Sequence, residues 1–186
     1  MTSIEISTRN NRILDIGCGN TKVLGAVGVD FKAYNGVDIL HNLNEFPYPF
    51  GVEEFDVVYI RNTLFLLEHP LRVMEEVYRI LKYSGRVVVV QPYFRSVWNH
   101  VDPLTKTYGT AHSFAFYDPE DPICTRYQYT DARFLTEKII FDEHLVKPNP
   151  VRQLLCWLAN RHPKGYEVYL SHLFPLDAIT YHLIKV

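Results

Sequence analysis

Two acids and a glycine turn carry the clearest chemical signal in this sequence. Ile13-Leu14-Asp15-Ile16 is a short apolar run that ends in Gly17-Cys18-Gly19-Asn20. The pattern predicts a buried strand running into a turn. Small residues at such a turn let backbone N–H groups approach a ligand closely. Ala26-Val27-Gly28-Val29-Asp30 is a second short apolar run, closed by an acid. A carboxylate in that place can accept hydrogen bonds from both hydroxyls of a ribose. Spacing then separates the nucleotide classes. A dinucleotide fold needs GxGxxG, and the position of the third glycine is Lys22. There is no GxxxxGK[ST] loop either, so pyrophosphate binding is disfavoured.

Other reactive side chains carry less. Cys18 sits inside the glycine turn with no activating base nearby in sequence, which suits a small backbone spacer better than a nucleophile. His100, Asp102, His112 and Cys124 have spacings that match no metal-ligand pattern, so no metal is expected. Gln91-Pro92-Tyr93-Phe94 approaches the (D/N)PP(Y/F) signature of base-modifying enzymes but lacks the second proline, and is rejected as such.

These residues need a scaffold. Gly36-Val37-Asp38-Ile39-Leu40 reads as a weaker third strand, and Phe55-Asp56-Val57-Val58-Tyr59-Ile60 as a strand of high β propensity. Between them, Pro47 and Pro49 forbid regular structure. A helix starts at Pro70, with Leu71, Met74, Val77, Tyr78 and Leu81 on one apolar face. Arg72–Glu76 and Glu75–Arg79 are its i,i+4 pairs, and Gly85 its expected C-terminal stop. The run 86–90 is then a fully buried strand, so strand, helix and strand form a right-handed parallel crossover. Residues 91–133 show no clean period and hold nine aromatics between Tyr93 and Tyr129, as expected of a lid over a binding site. Strands over 138–146 and 179–186 and a helix over 151–159 complete one domain, 1–186.

At this point the chain resembles the class I S-adenosylmethionine-dependent methyltransferases. Ile13 to Gly19 is similar to their first motif, and Gly28-Val29-Asp30 to their ribose-binding acid. Asn42-Leu43 and Phe46-Pro47-Tyr48 resemble the adenine-contacting segment and its (L/F)P(F/Y) element. Leu66-Leu67-Glu68-His69 resembles the family's "LEH", and Leu81-Lys82-Tyr83-Ser84-Gly85 its "LKPGG". The resemblance spans roughly residues 12–95 and weakens afterwards. It implies an α/β, Rossmann-like, doubly wound sheet of seven mostly parallel strands, the last antiparallel, with an aromatic-rich lid after the fifth. It also implies S-adenosylmethionine as cofactor. Asp15, Gly17, Cys18 and Gly19 would line the methionine and sulfonium, with Asn20 beside them. Asp30 would hold the ribose next to Phe31, and Asn42 with Leu43 the adenine edge. Arg61 and Asn62 would stand at the cofactor–substrate junction. Asn42 replaces the usual Asp, so its amide accepts without charge. Only nine residues separate Ile16 from Ala26, which shortens the first helix to about a turn. Asp102-Pro103-Leu104-Thr105-Lys106 resembles a "DPTHK" element of small relatives, with Thr105 in place of its His. For an acceptor that needs a general base, His69, His100, Asp102 and His112 are the candidates.

Composition narrows the acceptor. Nineteen basic and 21 acidic residues leave a net charge of −2, which argues against a nucleic-acid coat or an anionic membrane partner. A small-molecule or protein acceptor is favoured over nucleic acid. No apolar run approaches the ~20 residues of a membrane span. The start MTSIEISTRNNR has no signal core, and three scattered cysteines form no disulfide framework, so a cytoplasmic setting is expected. Two rival readings are a non-catalytic cofactor-binding or protein-interaction module and a nicotinamide oxidoreductase, the latter disfavoured by the missing glycine.

Overall fold

A computed structural model describes residues 11–142 and 149–186. Seven strands form one sheet: β1 (Ile13–Ile16), β2 (Val27–Asp30), β3 (Ile39–Leu40), β4 (Phe55–Arg61), β5 (Leu81–Pro92), β6 (Phe134–Asp142) and β7 (Ala178–Lys185). Their spatial order is β3-β2-β1-β4-β5-β7-β6. All neighbours are parallel except the two pairs that β7 makes. The chain thus winds outward in both directions from β1, and the order reverses between β1 and β4. Ligands of such sheets bind beyond the carboxyl ends of the strands at that reversal.

The apolar runs explain the centre. β1 is buried throughout, while β7 alternates half-buried and buried residues, as a strand packed on one face does. Helix α1 (Pro70–Ile80) connects β4 to β5 with Pro70 in its first turn. It buries Val73, Met74, Val77 and Ile80, a stripe rotated from the one the spacing suggested, against Leu14, Ile16, Val58 and Ile60. The helix stops at Ile80 because Leu81 is extended and opens β5, so Gly85 is not its stop. Gly85 lies within β5, where a Cβ would come 2.7 Å from Leu81 Cγ. Short helices α2 (Trp98–Val101) and α3 (Pro122–Tyr127) lie in the long β5–β6 connection. Helices α4 (Pro150–Arg161) and α5 (Pro163–Tyr169) follow β6 and pack Ala159 and Tyr166 into the same core as α1. α5 is absent from the sequence reading. β6 begins at Phe134, four residues before the expected start, and residues 143–146 of that expected strand lie outside the described residues.

The other face of the sheet is covered differently. Residues 17–26 form turns with no helical turn at all, shorter even than the sequence suggests. Side chains from the sheet satisfy their backbone instead: Asp15 Oδ2 accepts from the Val23 N–H at 2.8 Å, and Arg61 Nη2 donates to the Thr21 carbonyl. With its polar groups partnered this way the segment has no need of helical hydrogen bonds. It packs Val23 and Ala26 on Ile13, Val57 and Tyr59. Among the described residues no helix is long and apolar enough to cross a membrane.

The proline-rich stretch 46–50 lies along α1. Arg79 donates to the carbonyls of Tyr48 at 3.1 Å and Phe50 at 2.9 Å and to Glu76 at 2.7 Å, replacing the expected i,i+4 pairs. Arg72 instead stacks over Phe46 at 4.5 Å. Burial alone would raise the Glu76 carboxyl, but hydrogen bonds from Arg79 and from the Tyr48 N–H outweigh it and hold the group below the ordinary glutamate range. A depressed folded pKa contributes stability that is present above the unfolded value, about 4.3, and lost as pH falls through the lower folded value. Glu76→Gln is therefore expected to flatten the acid limb of stability against pH. Chemical denaturation at a series of pH values reads this, and an unchanged slope contradicts it.

Candidate functional site

At the carboxyl ends of β1 and β2 the glycine turn is tied back onto its neighbour strand. Gly17 N–H donates to the Val29 carbonyl at 2.8 Å, and Gly19 N–H donates to Asp30 Oδ2 at 3.0 Å. Asp30, 5% exposed, also accepts from the Lys32 N–H through Oδ1 at 3.3 Å. Each carboxylate oxygen has about two lone-pair sites, so acceptor capacity remains on both. Gly17 has φ +68° and Gly19 φ +50°. At Gly17 a Cβ would stand 2.1 Å from Thr63 Oγ1, whereas at Gly19 it would meet open space. Gly17→Ala is expected to cost about 1–3 kcal/mol, from left-handed strain and displacement of Thr63. A denaturant titration matching wild type would contradict this.

The turn borders a cavity of about 540 Å³, within the usual small-molecule range. Eight of the predicted cofactor residues line it: Gly17, Gly19, Asn20, Asp30, Phe31, Asn42, Leu43 and Asn62. Tyr34, Asn44, Thr63, Leu66, Leu67, Glu68, Leu104 and Lys106 complete the wall and were not anticipated. A signal for some was present. Leu66, Leu67 and Glu68 stand in the "LEH" element, and Leu104 and Lys106 in the stretch after Asp102. Thr63 directly follows Asn62 in the sequence. The Phe65 carbonyl accepts from the N–H groups of Lys106 at 2.9 Å and Thr107 at 3.2 Å, and Lys106 pairs with Glu68. Asn42 holds its own turn: Oδ1 accepts from the Asn44 N–H at 3.1 Å and Nδ2 donates to Glu45 at 3.0 Å.

Asp15, Cys18 and Arg61 stand outside this lining, against expectation. The Asp15 side chain is fully buried and its Oδ2 accepts from Arg61 Nη2 at 2.7 Å. Its neighbours on the sheet face explain this, because Asp15 and Arg61 share the face that segment 17–26 covers. Cys18 is buried toward Gly28, where an added Cβ would lie 2.8 Å from its Sγ. Burial first, then the charges of Asp15 and Asp30, push the Cys18 thiol up, which keeps it from thiolate chemistry.

A second cavity, about 650 Å³, adjoins across Asn62, which belongs to both walls. Asn62 follows β4 with φ +52°, a conformation asparagine tolerates, and its N–H donates to the Val90 carbonyl at 2.7 Å. Phe65, Val90, Pro92, Trp98, Val101, Asp102, Pro103, Asp177 and Ala178 complete that wall. Of the four acid–base candidates only Asp102 reaches it. His69 is exposed at the start of α1, and His100 is exposed at the end of α2. His112 borders a separate cavity of about 60 Å³ beside Asp118, Asp121 and Lys164. The aromatics of 91–133 also divide: Tyr93, Phe114 and Tyr117 are core, Phe116 stacks on Tyr129 at 5.3 Å, and Trp98 alone of the nine lines the second cavity. Among the described residues no cluster of three or more metal-ligating side chains occurs.

A family described as a methyltransferase domain matches residues 4–137. No match was found among curated proteins. Solved structures share the fold. A SAM-dependent methyltransferase from Archaeoglobus fulgidus is 19% identical, with a TM-score of 0.58 over 94% of this chain and 86% of its own. The geranyl diphosphate C-methyltransferase of Streptomyces coelicolor, solved with S-adenosyl-L-homocysteine, is 13% identical, with a TM-score of 0.57 over 95% and 73%. The [4+2]-cyclase SpnF is 15% identical, with a TM-score of 0.55 over 95% and 74%.

Proposed function

We propose a function from one premise, that the chain belongs to the methyltransferase-domain family of class I, S-adenosylmethionine-dependent type. On this reading it binds S-adenosylmethionine in the cavity at the sheet reversal and methylates an acceptor held in the adjoining one. The carrying observation is the shared wall: Asp30 lines the first cavity, and Asn62 stands between that cavity and the second.

The residues present fit the cofactor. Asp30 is buried, retains acceptor capacity and suits ribose hydroxyls, and the left-handed Gly19 leaves open space where a side chain would intrude. Phe31 and Leu43 offer apolar surface for a purine, and the Asn42 amide a neutral acceptor for its amino group. When bound, S-adenosylmethionine supplies an electrophilic methyl group on a sulfonium. Asn62 fixes the boundary between the two compartments through its left-handed backbone and its bond to β5. Leu104, Lys106 and Glu68 close one side and limit water. Placing a nucleophile about 3–3.5 Å from the methyl carbon supplies much of the rate, and Asp102 is the acid–base candidate within the acceptor compartment.

One observation favours the second reading, a cofactor-binding module without turnover. The β1–β2 connection has no helix to brace the turn, and Asp15 and Arg61 brace it instead. Calorimetric titration with S-adenosylmethionine and with NAD tests the proposal. Saturable binding of the methyl donor alone supports it, and NAD binding without methyl-donor binding overturns it. Transfer of labelled methyl to any acceptor then excludes the module without turnover.

A further inference from the structure

We infer that the Lys106–Glu68 ion pair reads the N7 edge of the cofactor's adenine, and so makes the cavity select adenine over 6-oxopurines. This deepens the S-adenosylmethionine reading above and rests on it. Both side chains line the cofactor cavity, and they reach it from distant segments, Glu68 from just before α1 and Lys106 from beyond α2.

Glu68 stands at the end of the cavity given to adenine. Its N–H donates to Asn44 Oδ1 at 2.8 Å, and the Asn44 N–H donates to Asn42 Oδ1 at 3.1 Å. Two hydrogen bonds thus link Glu68 to the side chain assigned to the purine amino group. That amino group carries two hydrogens. The one Asn42 leaves free points beside N7, so this edge of adenine offers a donor next to an acceptor. The ion pair offers the complement, a carboxylate that accepts beside an ammonium with three N–H donors. A 6-oxopurine places a second acceptor where adenine has its donor, and its lone pairs would face the Glu68 carboxylate.

The pair has little structural work to do. Both side chains are partly exposed, and exposed pairs add little to stability. Their backbones are fixed independently: the N–H groups of Lys106 and Thr107 donate to the Phe65 carbonyl, and the Glu68 N–H is held by Asn44. A hydrogen bond from Lys106, then its charge, hold the Glu68 carboxyl below the ordinary glutamate range, so it is an ionised acceptor at neutral pH.

The test is equilibrium binding of three probes, S-adenosylhomocysteine, its 7-deaza analogue and its 6-oxo (inosine) analogue, to wild type, Lys106→Met and Glu68→Gln. The probes share one ribose and one amino-acid end. Wild type is expected to bind the 7-deaza analogue about tenfold more weakly than S-adenosylhomocysteine, and Lys106→Met to bind the two alike. Glu68→Gln, whose amide can donate to the 6-oxygen, should narrow the preference over the 6-oxo analogue about tenfold. Asn42 and Leu43 are unchanged in that comparison, so their share of the preference cancels. A 7-deaza loss under about threefold in wild type, or an undiminished 6-oxo discrimination in Glu68→Gln, overturns the inference. So does a Lys106→Met variant that weakens all three probes equally, as a lysine holding the amino-acid carboxylate would. If wild type binds no S-adenosylhomocysteine, the proposed function falls and the inference with it. Binding without purine-edge discrimination sinks the inference alone.

Discussion

Asp30→Ala is expected to weaken S-adenosylmethionine binding at least about 100-fold, the largest effect of a single substitution on the cofactor compartment. Two hydrogen bonds from ribose hydroxyls to a carboxylate are each worth roughly 1.5–3 kcal/mol, and the Ala variant forfeits both. The carboxylate is buried at the end of β2 and lines the cavity, so little water replaces it. It also anchors the Gly19 N–H, so part of the loss comes from a looser turn. Asp30→Asn separates the contributions. Its amide oxygen can still accept from Gly19, so it should keep the turn but lose the charge, and lie between wild type and Ala. Calorimetry gives all three affinities. An Ala variant within threefold of wild type contradicts the assignment of the ribose to Asp30.

Arg61→Met is expected to lower stability by about 3–5 kcal/mol, the range for removing one partner of a buried ion pair. Asp15 has no exposed side-chain surface, and its partners are Arg61 Nη2 and the Val23 N–H. Its Oδ1 has no hydrogen bond among the described residues. Without Arg61 the buried carboxylate keeps one donor, and the Thr21 carbonyl loses its guanidinium. Adding Asp15→Asn removes the stranded charge and should recover more than half of the loss. Urea denaturation of the two single variants and the double measures the coupling. A loss below about 1 kcal/mol, the scale of a surface pair, contradicts a bracing role.

These variants mark where the sequence was informative. The runs before Gly17 and Asp30 are legible because buried parallel strands need uninterrupted apolar residues, and a strand-terminal acid beside a glycine turn stands out locally. Eight of the eleven predicted cofactor residues come together in one wall. The partnership of Asp15 with Arg61 is not legible in sequence because it crosses 46 positions and depends on which sheet face each occupies. An acid two residues before Gly17 looks the same whether it faces a ligand or an arginine. The absent helix in 17–26 has the same origin, since side chains from distant strands meet its backbone needs. Residues 91–133 were illegible for another reason. Their aromatics serve three environments, namely core, surface stack and cavity wall, and composition cannot sort them. The second cavity is assembled from the segment after β4, the end of β5, α2 with the two residues after it, and the start of β7, so no local motif announces it.

The most direct measurement is a crystal structure of the chain with S-adenosylhomocysteine. The ribose hydroxyls should lie on Asp30, the adenine between Phe31 and Leu43, and the sulfur beside Asn62 facing the cavity of Trp98 and Asp102. Ligand seated elsewhere, or a site without ligand in crystals grown at saturating concentration, would contradict the account.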